Sequence, residues 1–311
     1  MRGPVTAATT LWAALVCSGC LDGSRPEPDA LEMQPDPFAD VPLATARAAS
    51  LVTWNLETFP LTNQTPQAVS AYIDAWQDDV VAVQEIVDVD VFFAMVDGMA
   101  GYDAVLNDDP GAWMHVGLIF NTGRVTVGNV ETLFVGDSFA FPRPPLKADV
   151  TITLDDVGPI DFTVIVVHLK SQLGSGTQER RRAAAQHLHE WIEAHAGKDA
   201  DRDVIVLGDF NEEVVATPTD SAFEAFLTRP EAYEFLTYEL NAGLDYSQLS
   251  YFSFLDHIPV THDALQEYGS GSTTVLDLRR VQPRYQDSIS DHLPVRAVFS
   301  PEPTSAPTRV R

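Results

Sequence analysis

The sequence predicts an α/β protein built on mixed β-sheets, and three observations predict it. Apolar, largely β-branched runs recur along the chain, as at residues 80–83, 162–167 and 204–207. Some are preceded by helix-period patterns, and others are separated by short, turn-rich gaps. Helical crossovers join parallel strands and tight turns join antiparallel ones, so the two together imply sheets of mixed direction.

The elements follow in order. Val69, Tyr72, Ile73 and Trp76 fall at i, i+3, i+4 and i+7, the stripe of an amphipathic helix. Residues 80–83 follow it as a buried strand. Residues 115–120 and 124–127 flank Asn121-Thr122-Gly123, a hairpin signal. Residues 147–154 and 160–169 flank Asp155-Asp156-Val157-Gly158-Pro159 and predict a second hairpin. Thr177 is placed to cap a helix running to about His195, with Leu188, Trp191 and Ile192 on its inner face. No short repeat and no sharp change of composition interrupts residues 48–300, which read as one domain.

The flanks read differently. Arg2, an apolar stretch over residues 5–16 and a small-residue ending at Cys17-Ser18-Gly19-Cys20 make residues 1–20 a secretory signal peptide, too short to span a bilayer. Ser18-Gly19-Cys20 resembles the end of a bacterial lipobox, in which the cysteine is lipidated and becomes the new N-terminus. Cys17 stands where that motif prefers leucine, so ordinary cleavage is the other route. Either way at most Cys20 survives, and no internal disulfide forms. Between residues 22 and 42, Pro26, Pro28, Pro35, Pro37 and Pro42 interleave with six acidic residues, so residues 21–47 read as a disordered linker. Residues 301–311 read as a disordered tail. The expected product is exported: a cell-envelope lipoprotein, attached to the membrane by its lipid, or a secreted protein.

A 311-residue chain that is 45% hydrophobic can bury a substantial core. Its net charge of −26 repels polyanions and argues against a large basic nucleic-acid footprint. Acidity does not exclude a nuclease, because bound divalent cations reverse the local field.

Polar residues stand where the apolar runs end, which is what a sheet-based hydrolase needs to gather a metal and a phosphate at one edge. Glu85 closes one run and is a candidate metal ligand, because a carboxylate there is costly without a partner. Glu57, two residues after Asn55, reads as a direct or supporting ligand or as a solvent-facing carboxylate. Asn55 is suited to donate to a phosphate or to fix a carboxylate. Asp209 and Asn211 alternate around Phe210, so both can face one side while the ring packs behind. His168 ends a run of mostly β-branched residues; Lys170, Ser171 and the loop Leu173-Gly174-Ser175-Gly176 after it suggest an anion pocket. Asp291 and His292 read as a metal or base pair or as a polar turn before Pro294, and Asp256 as a carboxylate that orients a distant imidazole or closes a turn.

In this order the motifs resemble the endonuclease/exonuclease/phosphatase superfamily, in its DNase-like and neutral-sphingomyelinase-like branches. The matching stretches are Trp-Asn-Leu-Glu at 54–57, Gln-Glu at 84–85, Val-His-Leu-Lys-Ser at 167–171, Gly-Asp-Phe-Asn at 208–211, Leu-Asp-His-Ile at 255–258 and Ser-Asp-His-Leu-Pro-Val at 290–295. The resemblance implies a four-layer α/β sandwich of two mixed β-sheets flanked by helices. It implies Mg²⁺, with Mn²⁺ or Ca²⁺ as substitutes, held by Glu85 with Glu57 and Asp291. It gives catalytic roles to His168, Asp209, Asp256 and His292, the base lying between Asp209 and His292. His168 is also a candidate to protonate the leaving group. Asn55, Asn211, Arg143 and Lys170 would contact substrate phosphate.

The leading expectation is a phosphodiesterase of the nuclease type with nucleic acid as substrate. A phospholipid headgroup or another small phosphoester is the alternative, and a non-catalytic surface binding module is the reading from another class. Arg180-Arg181-Arg182 is expected to be a solvated helix face before a nucleic-acid contact. The apolar segment 246–255 is expected in the core before the surface. No protein partner is evident.

Overall fold

The computed structural model describes residues 47–172, 175–195, 203–214, 219, 221–243 and 245–301. The chain divides into Met1–Glu32 and Met33–Arg311, and every described residue belongs to the second unit. The expected signal peptide, linker and tail lie outside the described residues, apart from Arg47 and Pro301 at their edges.

In chain order the elements are β1 (Ala49–Phe59), α1 (Thr65–Trp76), β2 (Val80–Ile86), α2 (Val89–Asp97), β3 (Tyr102–Leu106), β4 (His115–Asn121) and β5 (Val125–Thr132). There follow β6 (Leu146–Leu154), β7 (Gly158–His168), α3 (Ser175–His195), β8 (Val204–Asp209), α4 (Glu224–Leu227), β9 (Tyr233–Phe235) and α5 (Tyr238–Ala242). The last are β10 (Asp256–His257), β11 (Pro259–Thr261), α6 (His262–Tyr268), β12 (Thr273–Val275), α7 (Tyr285–Ser288) and β13 (Val295–Phe299). One sheet has the order β12-β13-β1-β2-β4-β3; the other runs β5-β6-β7-β8-β11-β9, with β10 paired to the end of β8. Both mix directions: β1 with β2 and β7 with β8 are parallel, while β13, β4 and β6 pair antiparallel.

The sheets pack face to face. Leu51, Ala82, Leu118 and Ala297 of the first share one buried cluster with Ala148, Val164, Val166 and Leu207 of the second. Period-two alternation turns the other faces outward onto helices. On β1, Trp54 meets Trp76 of α1 at 5.5 Å between ring centroids. On the second sheet, Ile165, Val167 and Val206 pack with Ala184, Leu188 and Ile192 of α3. Helix, sheet, sheet and helix make the four layers that the resemblance implies.

The second expected hairpin is present as β6 and β7, in register from Leu146↔Val166 to Leu154↔Gly158. The first is a correction. Its turn forms, with Gly123 N donating to Asn121 Oδ1 (2.9 Å), but the two strands separate into different sheets. Val116 to Phe120 of β4 are buried throughout, so both edges of β4 are taken by β2 and β3. β5 is mostly half-buried or exposed and serves as an edge strand of the other sheet. The turn is therefore a crossover between layers.

Two further expectations change. α3 starts at Ser175, and the hydroxyl of Thr177 donates to Gln172 O (2.8 Å) from inside it. The arginine triplet is a solvated face only in part: Arg181 is buried, Arg180 is half-buried, and the Arg182 side chain keeps 43% of its exposure. Arg180 donates to Phe139 O and Ser138 O, both at 2.6 Å, buried Arg181 pairs with Glu212 (2.6 Å), and Arg182 reaches Ser221 O (3.3 Å). Each guanidinium ties α3 to a neighbouring loop.

Candidate active site

The strand ends deliver the polar residues to one edge. In the parallel register of β7 and β8, His168 stands opposite Asp209. β10 crosses the same end, with Asp256 opposite Asp209. In the first sheet, Asn55 pairs with Gln84, but the next pairing is Phe59 with Ile86, so β1 carries extra residues there. Such a bulge re-aims side chains. Glu57 (φ 40°), Thr58 (φ 49°) and Glu85 (φ 62°) all adopt left-handed backbone in it. Three strained residues side by side, next to a carboxylate cluster, mark a functional edge.

Asn55 joins the two sheets. Its Nδ2 donates to Glu85 Oε1 (3.2 Å) and to Asp209 Oδ2 (3.0 Å), using both amide hydrogens. Its Oδ1 accepts from Glu57 N (3.0 Å). Of its two expected uses, the structure shows the fixing of carboxylates. Glu85 Oε2 accepts from Thr58 N (3.0 Å). His168 Nε2 lies 3.6 Å from Glu85 Oε1 and 3.5 Å from Asp209 Oδ2. Burial lowers the His168 pKa far below the ordinary histidine value, and Arg143, His292 and Lys170 lower it further, so the ring is neutral.

Asp256 and His292 make the second pair, with Nδ1 to Oδ2 at 2.7 Å and both residues buried. Burial acts to lower the His292 pKa, but the carboxylates of Asp256, Asp209 and Asp291 outweigh it and push it up to about 10. His292 is thus a buried imidazolium, with Nε2 3.9 Å from Asp209 Oδ2 and from Asp291 Oδ1. Asp209 is pushed up to about 7, first by burial, with Asp256 and Glu85 adding to it. Its Oδ1 accepts from Asn211 N (2.8 Å), and Asn211 Nδ2 donates to Leu169 O (3.3 Å).

Three groups that sequence reasoning did not single out hold this pair in place. Tyr285 donates to the His292 carbonyl (2.5 Å) and accepts from Trp54 Nε1 (2.9 Å). Ser290 donates to Asn55 O (2.6 Å) and accepts from His292 N (2.9 Å). Gln248 donates to Asp291 Oδ2 (3.0 Å). Ser290 at least carried a signal, since it belongs to the Ser-Asp-His stretch; Tyr285 acts across the fold from an unpatterned segment, and Gln248 from one that reads as apolar core.

Arg143 is buried against the cluster, with Nη2 donating to Leu169 O (2.6 Å) and a buried Nε that finds no partner. Lys170 is half-buried beside it, its ammonium donating to Ser171 O (2.9 Å). His257, next to Asp256, is structural: its ring bonds Thr237 Oγ1 and Glu212 O (both 2.9 Å) among packed phenyl rings.

The residues fit a divalent cation. Ligand atoms of Glu85, His168 and Asp209 lie within 4.8 Å of one another, the one such group among the described residues. Glu57 Oε2 is buried without a hydrogen-bond partner. Burial, Asp291 and Glu85 push Glu57 up to about 7, a repulsion that a bound cation would relieve. Of the three ligands the resemblance implies, Glu85 alone belongs to the group with His168 and Asp209; Glu57 lies near enough to Asp291 and Glu85 to feel both charges, and carboxylate oxygens of this kind are what Mg²⁺ prefers.

The catalytic domain of human Nocturnin, solved with a bound sulfate anion, superposes with a TM-score of 0.61 at 20% identity, covering 82% of this chain and 95% of that one. A family protein from Bacteroides thetaiotaomicron gives 0.58 at 17%, covering 81% and 94%. D. rerio TDP2 complexed with single-strand DNA product gives 0.59 at 15%, covering 81% and 98%. No curated protein matches the chain in sequence. The model of the Endonuclease/Exonuclease/phosphatase family matches residues 52–292, which contain every candidate residue above, and the chain belongs to that family of phosphoesterases and nucleases.

Proposed function

We propose that this protein is a divalent-metal-dependent phosphodiesterase that hydrolyses nucleic acid. The observation that carries the reading is the double use of the Asn55 amide, which holds a carboxylate from each sheet beside a buried Asp256–His292 pair. A bound cation would neutralise non-bridging phosphate oxygens and the charge that develops on them; Glu85, Glu57 and Asp291 would hold it.

The chain's own residues supply the rest. Asp209, pushed up to about 7, sits near the operating pH and accepts the proton of the attacking water. His292 keeps its proton and faces the phosphate as a cation, so Asp209 is the base of the two. Neutral His168 contributes an N–H donor rather than a charge. Arg143 places its guanidinium charge beside Asp209 and Glu85, where it attracts a phosphate. As water's oxygen bonds to phosphorus, the ester oxygen opposite leaves, and the proton taken by Asp209 balances the one the leaving oxygen finally gains. Human Nocturnin solved with a bound sulfate anion and D. rerio TDP2 solved with a single-strand DNA product share this fold, which supports a ligand of this anionic class.

Purified protein incubated with supercoiled plasmid and Mg²⁺ should nick it. A chelated sample and the His168→Ala and His292→Ala variants should not. Intact plasmid with folded wild-type protein would overturn the nuclease reading. One observation favours a phospholipid headgroup as the second reading. Tyr251 and Phe252 are 78% and 68% exposed at the tip of a loop hydrogen-bonded to Asp291, where the sequence placed core residues. Release of phosphocholine from sphingomyelin vesicles, lost in Tyr251→Ala/Phe252→Ala, would select it. Export belongs to the same proposal: Cys20→Ala should release the protein from the membrane fraction if the cysteine is lipidated.

A further inference from the structure

We propose that Gln248 is a positioning residue, whose side-chain amide fixes the carboxylate of Asp291 in the orientation that a cation needs. The inference rests on the metal-dependent reading above.

Gln248 is 3% exposed, yet lies in no regular element. Its main chain is clamped from both sides. Gln248 N donates to Ser253 O (2.9 Å), Leu249 N to Asp291 O (2.7 Å) and Leu293 N to Ser247 O (2.7 Å). The loop that carries it is therefore bonded directly to the Ser290-Asp291-His292 segment. A second root runs to the other catalytic pair, since Ser247 Oγ accepts from both Leu255 N (3.0 Å) and Asp256 N (3.1 Å).

The side chain has one way to sit. Oε1 accepts from Tyr251 N (2.7 Å), which leaves Nε2, the only donor, facing Asp291 Oδ2 (3.0 Å). With Oδ2 held, Oδ1 is the oxygen that turns to the cluster, 3.9 Å from His292 Nε2. A carboxylate on a short side chain otherwise rotates freely at χ2. Fixing it before the cation arrives removes an ordering cost from binding, and outer partners of ligating groups are typically worth 10- to 100-fold in metal affinity or activity. The amide suits this role because it donates to the carboxylate without carrying a charge that would oppose the cation.

Mn²⁺ binding, followed by the EPR signal of the free ion, is read alongside kcat and KM on a labelled single-stranded oligodeoxynucleotide. Gln248→Met keeps the length and removes the donor; Gln248→Asn keeps an amide one methylene too short to reach. Both should weaken Mn²⁺ binding by roughly 10-fold or more, with the thermal midpoint in chelator within a few degrees of wild type. Gln248→Met placed on Asp291→Ala should add less than two-fold, because its effect runs through Asp291. Variants that bind Mn²⁺ within two-fold of wild type, or losses that multiply on Asp291→Ala, would overturn the assignment. Wild-type protein without saturable Mn²⁺ binding would instead overturn the proposed function, and this inference with it.

Discussion

His292 Nδ1 lies 2.7 Å from Asp256 Oδ2, and Asp256 comes from a two-residue strand paired with the end of β8. The charge of the imidazolium is held by a carboxylate that is fully buried. Asp256→Asn keeps the shape and removes the charge. The pKa of His292 then falls, and the ring loses its proton within the working range. By analogy with triads of this design, kcat should drop by roughly 10³-fold or more. Rates measured against pH should show the alkaline limb moved down, and an unmoved limb would remove His292 as the cation of the site.

The same pair makes metal-free stability depend on pH. Folded His292 keeps its proton to about 10, whereas the unfolded ring releases it near 6.5. Between those values the folded state binds the extra proton, so stability falls as pH rises. Asp209 and Glu57, both pushed up to about 7, are about three-quarters ionised at pH 7.5 and act in the same direction, steepening the fall just above it. His168 and His257, lowered by burial, oppose the trend only below 6.5. From pH 7.5 to 9 in chelator, urea unfolding should lose about 1 kcal/mol per pH unit. Asp256→Asn should flatten that slope.

How much of this was legible follows from where the information sits. The ends of β1, β2, β7 and β8 could be read because an apolar run broken by Asn, Glu, His or Asp is a local signal. The destination of β5 could not, since Asn121-Thr122-Gly123 specifies a tight turn and says nothing of which sheet each strand joins. Tyr251 and Phe252 defeated the apolar pattern: Gln248 Oε1 accepts from Tyr251 N and Gln248 N donates to Ser253 O, which turns the loop outward between them, with Phe252 in left-handed backbone at φ 54°. Arg181 reads as a charge on a helix, and only the tertiary approach of Glu212 and the Lys170 carbonyl makes it a buried strut. Tyr285 lies too far along the chain from its partner Trp54 for any spacing to reveal the contact.

Glu85 accepts from Asn55 Nδ2 at Oε1 and from Thr58 N at Oε2, so Glu85→Gln keeps only one of the two bonds and also deprives a cation of its main ligand. Mg²⁺ at about 100 times its dissociation constant should stabilise the wild type by about 2.7 kcal/mol. Glu85→Gln should lose that gain, each protein's own midpoint in chelator serving as the reference. Scanning fluorimetry with and without Mg²⁺ reads both. Equal Mg²⁺ shifts in the two proteins would place the cation elsewhere.

Gly208 decides whether His168 and Asp209 can meet at all. It pairs with Val167 across the parallel β7–β8 register, with φ at +150°. A Cβ built there would stand 2.0 Å from Val167 O and 2.9 Å from Val167 C. The obstacle is the backbone of the residue before His168, so no rotamer change relieves it, and β7 and β8 must part where the catalytic edge begins. Gly208→Ala should cost about 3 kcal/mol or more, from the clash and from a backbone region alanine rarely occupies. It should also lower kcat beyond what the unfolded fraction explains, because the 3.5 Å approach of His168 Nε2 to Asp209 Oδ2 widens with the strands. Urea midpoints and single-turnover rates on the same preparation separate the two effects. A variant that loses stability but keeps the full rate of its folded fraction would show that the close approach serves the sheet and not the chemistry.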